Sequence, residues 1–184
     1  MLYPNNIKKQ YSKITNYSNR GMDLEYLIEK MNEYYIENDI AYIYKKPTPI
    51  GVVKVSYNSK GKRIQDGFYK MPSTLDFNGL YKGYYIEFDA KETQNQTAFP
   101  LSNIHDHQIK HIKNINNHGG IVFLIIMIND KYFLLMGSTL LDFIEKKERK
   151  SIPYSFLEEN AYPVSLSLKG LDYLKVIDKL IGGN

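Results

Sequence analysis

Eight consecutive apolar residues, Ile121–Ile128, constrain the fold of this 184-residue chain more than any other stretch. The run is far shorter than the roughly 20 residues a membrane-spanning helix requires. Rich in β-branched side chains and lacking a polar face, it is predicted as a strand buried on both sides, with a layer of structure over each face of its sheet. Lys131–Met136 is its predicted hairpin partner across Asn129-Asp130. Further strands are predicted at residues 40–44, 51–57, 64–70 and 84–91. The covering layers come from helical patterns. Residues 21–39 carry Met22, Leu24, Leu27, Met31, Tyr34 and Tyr35 along one stripe, with Asp23, Glu25 and Glu29 early, where the helix dipole favours acids. Residues 102–116 follow, capped by Ser102 or Asn103 and closed by Gly119-Gly120. Residues 140–148 are capped by Ser138 or Thr139, and residues 171–181 form the last helix. Pro153 and Pro163 mark a loop-rich link between these two. This order predicts one α/β domain over residues 21–184, a central mixed sheet flanked by helices.

Residues 84–91 carry the chemistry. Strand alternation puts Tyr85, Glu87, Asp89 and Lys91 on one face and Tyr84, Ile86, Phe88 and Ala90 on the other, the core face. Asp76 lies thirteen residues before Asp89, in an extended run that can return beside it through a turn at Asn78-Gly79 or Lys82-Gly83. An Asp, a gap and then Asp-x-Lys suit divalent-metal hydrolysis of phosphodiesters. Two hard oxygen ligands hold the ion, and the lysine beside them steadies the attacking water or the developing charge. Gln108 falls on or next to the apolar stripe of its helix, where a buried amide needs a partner, so it is a further candidate. His105 and His107 stand two apart on the predicted helix, about 200° round its axis, which argues against a shared zinc ion.

Charge is distributed in two basic segments. Residues 1–20 hold Lys8, Lys9, Lys13 and Arg20 with no acidic residue, as in an arm that orders on nucleic acid or a terminus without structure. The predicted ribbon around residues 52–72 has Lys54, Lys60, Lys62, Arg63 and Lys70 against Asp66 alone, interleaved with Tyr57, Phe68 and Tyr69. Such cations reach phosphates and such rings stack on bases, although lysines also keep a plain hairpin edge soluble. A net charge of +4 permits an anionic partner without requiring one. The absence of cysteine excludes disulfides and thiolate metal sites and is compatible with the cytoplasm, where no secretion signal in residues 1–20 also points.

Taken together, the chain resembles the RecU family, Holliday junction resolvases within the PD-(D/E)xK nuclease superfamily. The resemblance is carried by Tyr17-Ser18-Asn19-Arg20-Gly21-Met22, Lys45-Lys46-Pro47-Thr48-Pro49-Ile50, residues 73–91, Lys91-Glu92-Thr93, Phe99-Pro100-Leu101, His105-Asp106-His107-Gln108-Ile109 and Asp172-Tyr173-Leu174-Lys175-Val176. It implies a restriction-endonuclease-like core and a homodimeric, Mg²⁺- or Mn²⁺-dependent endonuclease that nicks four-way junctions symmetrically in recombination and repair. Metal ligands would fall on Thr74, Asp76, Asp89 and Gln108, and the charge-stabilising lysine on Lys91. DNA contacts would fall on Arg20, Lys45, Lys46, Lys54, Lys62, Arg63 and Lys70, with Phe68 or Tyr69 at the crossover. A strand-exchange recombinase is a further partner associated with the family, and nucleoid association follows from its substrate. One departure stands out: the family usually has Asp-x-Glu before Ala-Lys, and here the pair is reversed as Glu87 and Asp89. A restriction or repair nuclease of the same superfamily, and a junction-binding protein without activity, are the alternatives.

Overall fold

The apolar run folds as the strand it predicts, Ile121–Ile128, inside a six-stranded mixed sheet in the computed structural model of the chain. Residues 23–47, 49–58, 61–69, 74–146 and 149–182 are described by the structure. In chain order the elements are α1 (Leu24–Glu37), β1 (Tyr42–Lys45), β2 (Ile50–Asn58), β3 (Gly61–Tyr69), β4 (Phe77–Tyr81), β5 (Tyr84–Glu92), β6 (Ala98–Pro100), α2 (Asp106–Asn117), β7 (Ile121–Ile128) and β8 (Lys131–Met136). There follow α3 (Gly137–Glu145), β9 (Ser151–Pro153), α4 (Tyr154–Asn160), β10 (Tyr162–Pro163), β11 (Leu166–Ser167), β12 (Gly170–Leu171) and α5 (Leu174–Ile181). The main sheet has the order β1-β4-β5-β7-β8-β10. Only β5 and β7 run parallel within it, and that pairing needs a long crossover, which the segment through β6 and α2 supplies. The sheet is the mixed, helix-flanked one that the sequence predicts.

Its two faces bury different sets. On one, Leu27, Ile28, Met31 and Tyr35 of α1 and Ile177 of α5 pack over Ile43, Phe77, Ile86, Phe88 and Phe123. Phe77, Phe88 and Phe123 occupy one cross-strand row and stack at centroid spacings of 5.0 and 4.6 Å. On the other face, Ile112 of α2, Leu140 of α3 and Leu157 of α4 cover Val122, Leu124, Ile126 and Leu135. Both faces of β7 are therefore dry, whereas β5 turns its polar residues towards the second face.

Several boundaries differ from those predicted. The helix expected from Ser102 starts at Asp106, because Leu101–Asn103 forms a 3₁₀ turn and Ile104 is extended. Neither Ser102 nor Asn103 caps it; the side-chain oxygen of Gln108 accepts from the His105 backbone N–H at 3.2 Å. His105 thus lies outside the helix, and its ring stacks on that of His107 at 5.4 Å instead of pointing away. The third helix starts at Gly137 without a Ser or Thr cap, since Gly137 packs too closely on Val122 and Ile112 for a side chain. The supposed loop-rich link holds β9, α4 and β10, with Pro153 standing as the N-cap of α4 rather than breaking structure. The final helix begins at Leu174, because Gly170–Leu171 pairs with Leu166–Ser167. Tyr84, predicted on the core face, is exposed at the hairpin end, where the turn falls at Lys82-Gly83 with both residues at positive φ. Asn78-Gly79 lies within β4.

Gly79 has a steric reason to be glycine. A Cβ there would stand 2.0 Å from the Tyr42 carbonyl oxygen and 2.5 Å from Ile43 Cα, both backbone atoms that no rotamer change can move. Gly79→Ala is expected to force β1 off β4 and to lower stability by about 3 kcal/mol, read as a drop in the urea midpoint. A midpoint within error of wild type would show that β1 yields freely. No helix among the described residues is long and apolar enough to cross a membrane.

Candidate active site

The site is built from strand register. β1, β4 and β5 align Tyr44, Asn78 and Glu87 in one row, and one row nearer the strand ends the Lys46 N–H donates to the Asp76 carbonyl at 2.7 Å. That places Lys46, Asp76 and Asp89 side by side. α2 runs antiparallel to β5 above them, so that one helical turn matches one strand repeat. Gln108 Nε2 donates to Asp89 Oδ2 at 2.6 Å, and His111 Nε2 lies 2.8 Å from Glu87 Oε1. A carboxylate only accepts, so the His111 proton resides on that nitrogen.

The two buried carboxylates of β5, Glu87 and Asp89, have contrasting surroundings. Asp89 is fully buried. Its Oδ2 receives Gln108 and stands 2.9 Å from Lys91 Nζ, but its Oδ1 has no hydrogen-bond partner among the described residues. Asp76 faces it, and burial together with the Asp89 carboxyl pushes the Asp76 carboxyl up to about 6, against the pull of Lys91 and Lys45. Glu87, 1% exposed, is fully engaged. Tyr85 Oη donates to its Oε2 at 2.6 Å, while Lys46 Nζ and His111 reach its Oε1. Burial works to raise this carboxyl, but the bonds from Lys46, Tyr85 and His111 outweigh it and hold the group below its ordinary range. Lys46 Nζ also donates to Thr74 Oγ1 at 2.5 Å, and the Thr74 carbonyl accepts from Gln108 Nε2 at 3.0 Å.

The structure therefore brings Thr74, Asp76, Asp89, Lys91 and Gln108 together. A buried Asp89 oxygen beside the Asp76 carboxyl offers hard oxygen donors of the kind a divalent cation favours. The carboxylates of this pocket number two; no group of three or more His, Asp or Glu among the described residues could hold a metal. Gln108 turns its amide nitrogen to the site and its oxygen to the helix cap, so in this arrangement it holds Asp89 in place.

The DNA candidates are scattered. Lys54, Lys62 and Arg63 are exposed on the β2–β3 ribbon, which pairs with no other strand among the described residues. Phe68 is 57% exposed, with its ring lying across Gly51 on the facing strand. Lys45 bridges Glu25 and Glu29 of α1 at 2.5 and 2.8 Å, which raises its pKa despite the opposing effect of burial. Lys70 and the whole basic arm, Arg20 included, lie outside the described residues. Sequence reasoning missed His111, although its spacing of one turn from Gln108 was a usable signal. It also missed the Lys46–Glu87 contact, which joins residues far apart in the chain.

The model of the family described as "Recombination protein U", RecU, matches residues 19–179. The Holliday junction resolvase RecU of Bacillus subtilis is 47% identical over 169 residues, covering 89% of this chain and 82% of that protein. Its namesake in Staphylococcus aureus is 46% identical over 172 residues, covering 90% and 83%. The chain belongs to the RecU family. The RecU match spans the ribbon, Glu87, Asp89 and Lys91 of β5 and the capped start of α2. Among solved structures, the Holliday junction resolvase Hjc of Archaeoglobus fulgidus aligns over 72% of this chain and 91% of its own at 8% identity and a TM-score of 0.39, a likeness that carries no argument.

Proposed function

We propose that this RecU-family chain is an endonuclease that resolves four-way DNA junctions in recombination and repair, by divalent-metal-dependent hydrolysis of phosphodiesters. Family membership supports the substrate, and the unpartnered Asp89 oxygen beside Asp76 is the observation that carries the chemistry. Asp76 and Asp89 would hold the metal, Mg²⁺ or Mn²⁺, with Thr74 beside them, while Gln108, whose oxygen is engaged by the His105 N–H, contributes through its bond to Asp89. The bound ion supplies Lewis acidity to the phosphodiester and a lowered pKa to the attacking water. Lys91, 2.9 Å from Asp89, offsets the negative charge that grows at phosphorus. Gln108 fixes the Asp89 carboxylate so that this arrangement exists before substrate arrives.

The ribbon meets the junction. Lys54, Lys62 and Arg63 hold phosphates, joined by Arg20, Lys45 and Lys70, while Phe68 offers an exposed ring to the crossover. Lys46 adds positive charge from inside the site. Exposed Val52, Val53 and Ile64 on a two-stranded ribbon support a homodimer, because such a ribbon is marginal alone and a second copy covers its apolar side chains. Two copies also supply the two sites that paired nicks require. The workplace of such an enzyme is the cytoplasm, at the nucleoid.

The test is cleavage of a labelled mobile four-way junction beside a linear duplex, with Mg²⁺, Mn²⁺ or EDTA. Paired symmetric nicks on the junction alone, lost in EDTA, are expected. Cutting of the linear duplex at a fixed sequence would favour a restriction-type enzyme, and tight binding without nicks under either metal a binding module. Lys62→Ala is expected to weaken junction binding and to reduce the slope of log K against log salt by about one, with the cleavage rate at saturation unchanged. Normal binding with lost cleavage would remove Lys62 from the phosphate contacts.

A further inference from the structure

The two buried β5 carboxylates, Glu87 and Asp89, differ in one respect that bears on how many metal ions the centre holds. Glu87 already has a cation: Lys46 Nζ lies against both Glu87 Oε1 and Thr74 Oγ1. Asp89, beside Asp76, keeps an oxygen with no hydrogen-bond partner among the described residues. We propose that Lys46 is a tethered second cation of the active centre, its ammonium filling the seat that a second divalent ion would otherwise take, so that each chain binds one metal ion. The inference rests on the metal-dependent reading above.

The seat is a built one. Its floor is a carboxylate 1% exposed, one side is the Thr74 hydroxyl, and the other is the His111 imidazole, 2.8 Å from the same Glu87 oxygen. The lysine enters from β1, where its own N–H is fixed to the Asp76 carbonyl at 2.7 Å. Its side chain is only 21% exposed. An ammonium is a compact point charge with three donors, the side-chain equivalent of a small cation among oxygen ligands. Thr74 divides its atoms accordingly. Its hydroxyl serves Lys46, and its carbonyl meets Gln108 on the Asp89 side. With Lys46 removed, a carboxylate, a hydroxyl and an imidazole able to change tautomer remain together. That donor set suits Mn²⁺. The site would then gain an ion in place of the lost ammonium.

The experiment counts Mn²⁺ bound to the metal-free, DNA-free protein, from the electron paramagnetic resonance of unbound ion. It compares wild type, Lys46→Met and Lys46→Met/Glu87→Gln. One, two and one ions per chain are expected, with Mn²⁺ raising the melting temperature of Lys46→Met more than that of wild type. Circular dichroism establishes that each is folded. Should Lys46→Met fail to fold, Lys46→Leu, which likewise brings neither charge nor donor to Glu87 and Thr74, is read in the same way. Two ions in wild type, or one in folded Lys46→Met, overturns the inference. A second ion that persists in the double variant overturns the assignment of its seat to Glu87. No ion bound to wild type overturns the metal-dependent reading itself and is distinct from those results.

Discussion

Asp76→Asn is expected to abolish junction cleavage while making the metal-free protein more stable at neutral pH. Activity should fall by at least about 10²-fold, the magnitude seen when one preorganised charge-stabilising group is lost. Stability moves the other way for an electrostatic reason. Burial and the Asp89 carboxyl push Asp76 up to about 6 in the folded chain, above the ordinary carboxylate value it regains on unfolding. The folded state therefore binds the proton more tightly. Its stabilising effect is complete below pH 4 and is lost as pH rises towards 6, so above pH 6 the ionised group is a full liability. A rise of that size would correspond to about 3 kcal/mol for a wholly buried group; with Asp76 half open to solvent, on the order of 1 kcal/mol is expected. Asparagine removes the charge. Melts in EDTA should show the variant above wild type at pH 7 and level with it at pH 4. A variant less stable than wild type at pH 7 would show that Asp76 carries no such strain.

Glu87→Gln should destabilise the fold strongly. It leaves the Lys46 ammonium, 21% exposed, beside a neutral amide and weakens the acceptor for Tyr85 and His111. Removing one member of a buried ion pair costs about 3–5 kcal/mol, and the partial exposure of Lys46 points to about 3. Removing both charges is milder, because neither is then stranded. Lys46→Met/Glu87→Gln should recover at least half of the loss in urea midpoint, with the methionine replacing much of the lysine stem. Additive losses in the double variant would mean that Lys46 and Glu87 do not act as a pair.

How much was legible follows from what each pattern encodes. β7 and β8 were found at their observed bounds, because an apolar run flanked by Gly119-Gly120 and Asn129-Asp130 leaves little choice of register. Alternation along β5 placed Glu87, Asp89 and Lys91 on one face, since a period of two is a local property. The start of α2 was misplaced, since Ser102 and Asn103 are good caps in isolation while Gln108 does the capping from within the helix. α4 was missed because prolines were read as breakers, yet Pro153 stands at the N-cap and Leu157 anchors the short helix in the core. The Lys46–Glu87–His111 cluster joins three separate elements, and no local period reports that. Family resemblance pointed to Thr74; only the fold shows its hydroxyl bonded to Lys46.

Lys45 and Lys46 are neighbours in sequence and strangers in space. Strand alternation sends Lys45 to the acidic residues of α1 and Lys46 through the sheet's other face to Thr74 and Glu87. By charge they are interchangeable, and by position they are not. Deleting one residue from β1 upstream of them would preserve both charges and still exchange their duties, tethering the helix with the wrong lysine and turning Ile43 from the core towards water. The spacing of this strand, as much as its composition, is therefore what a homologue or a designed variant must keep.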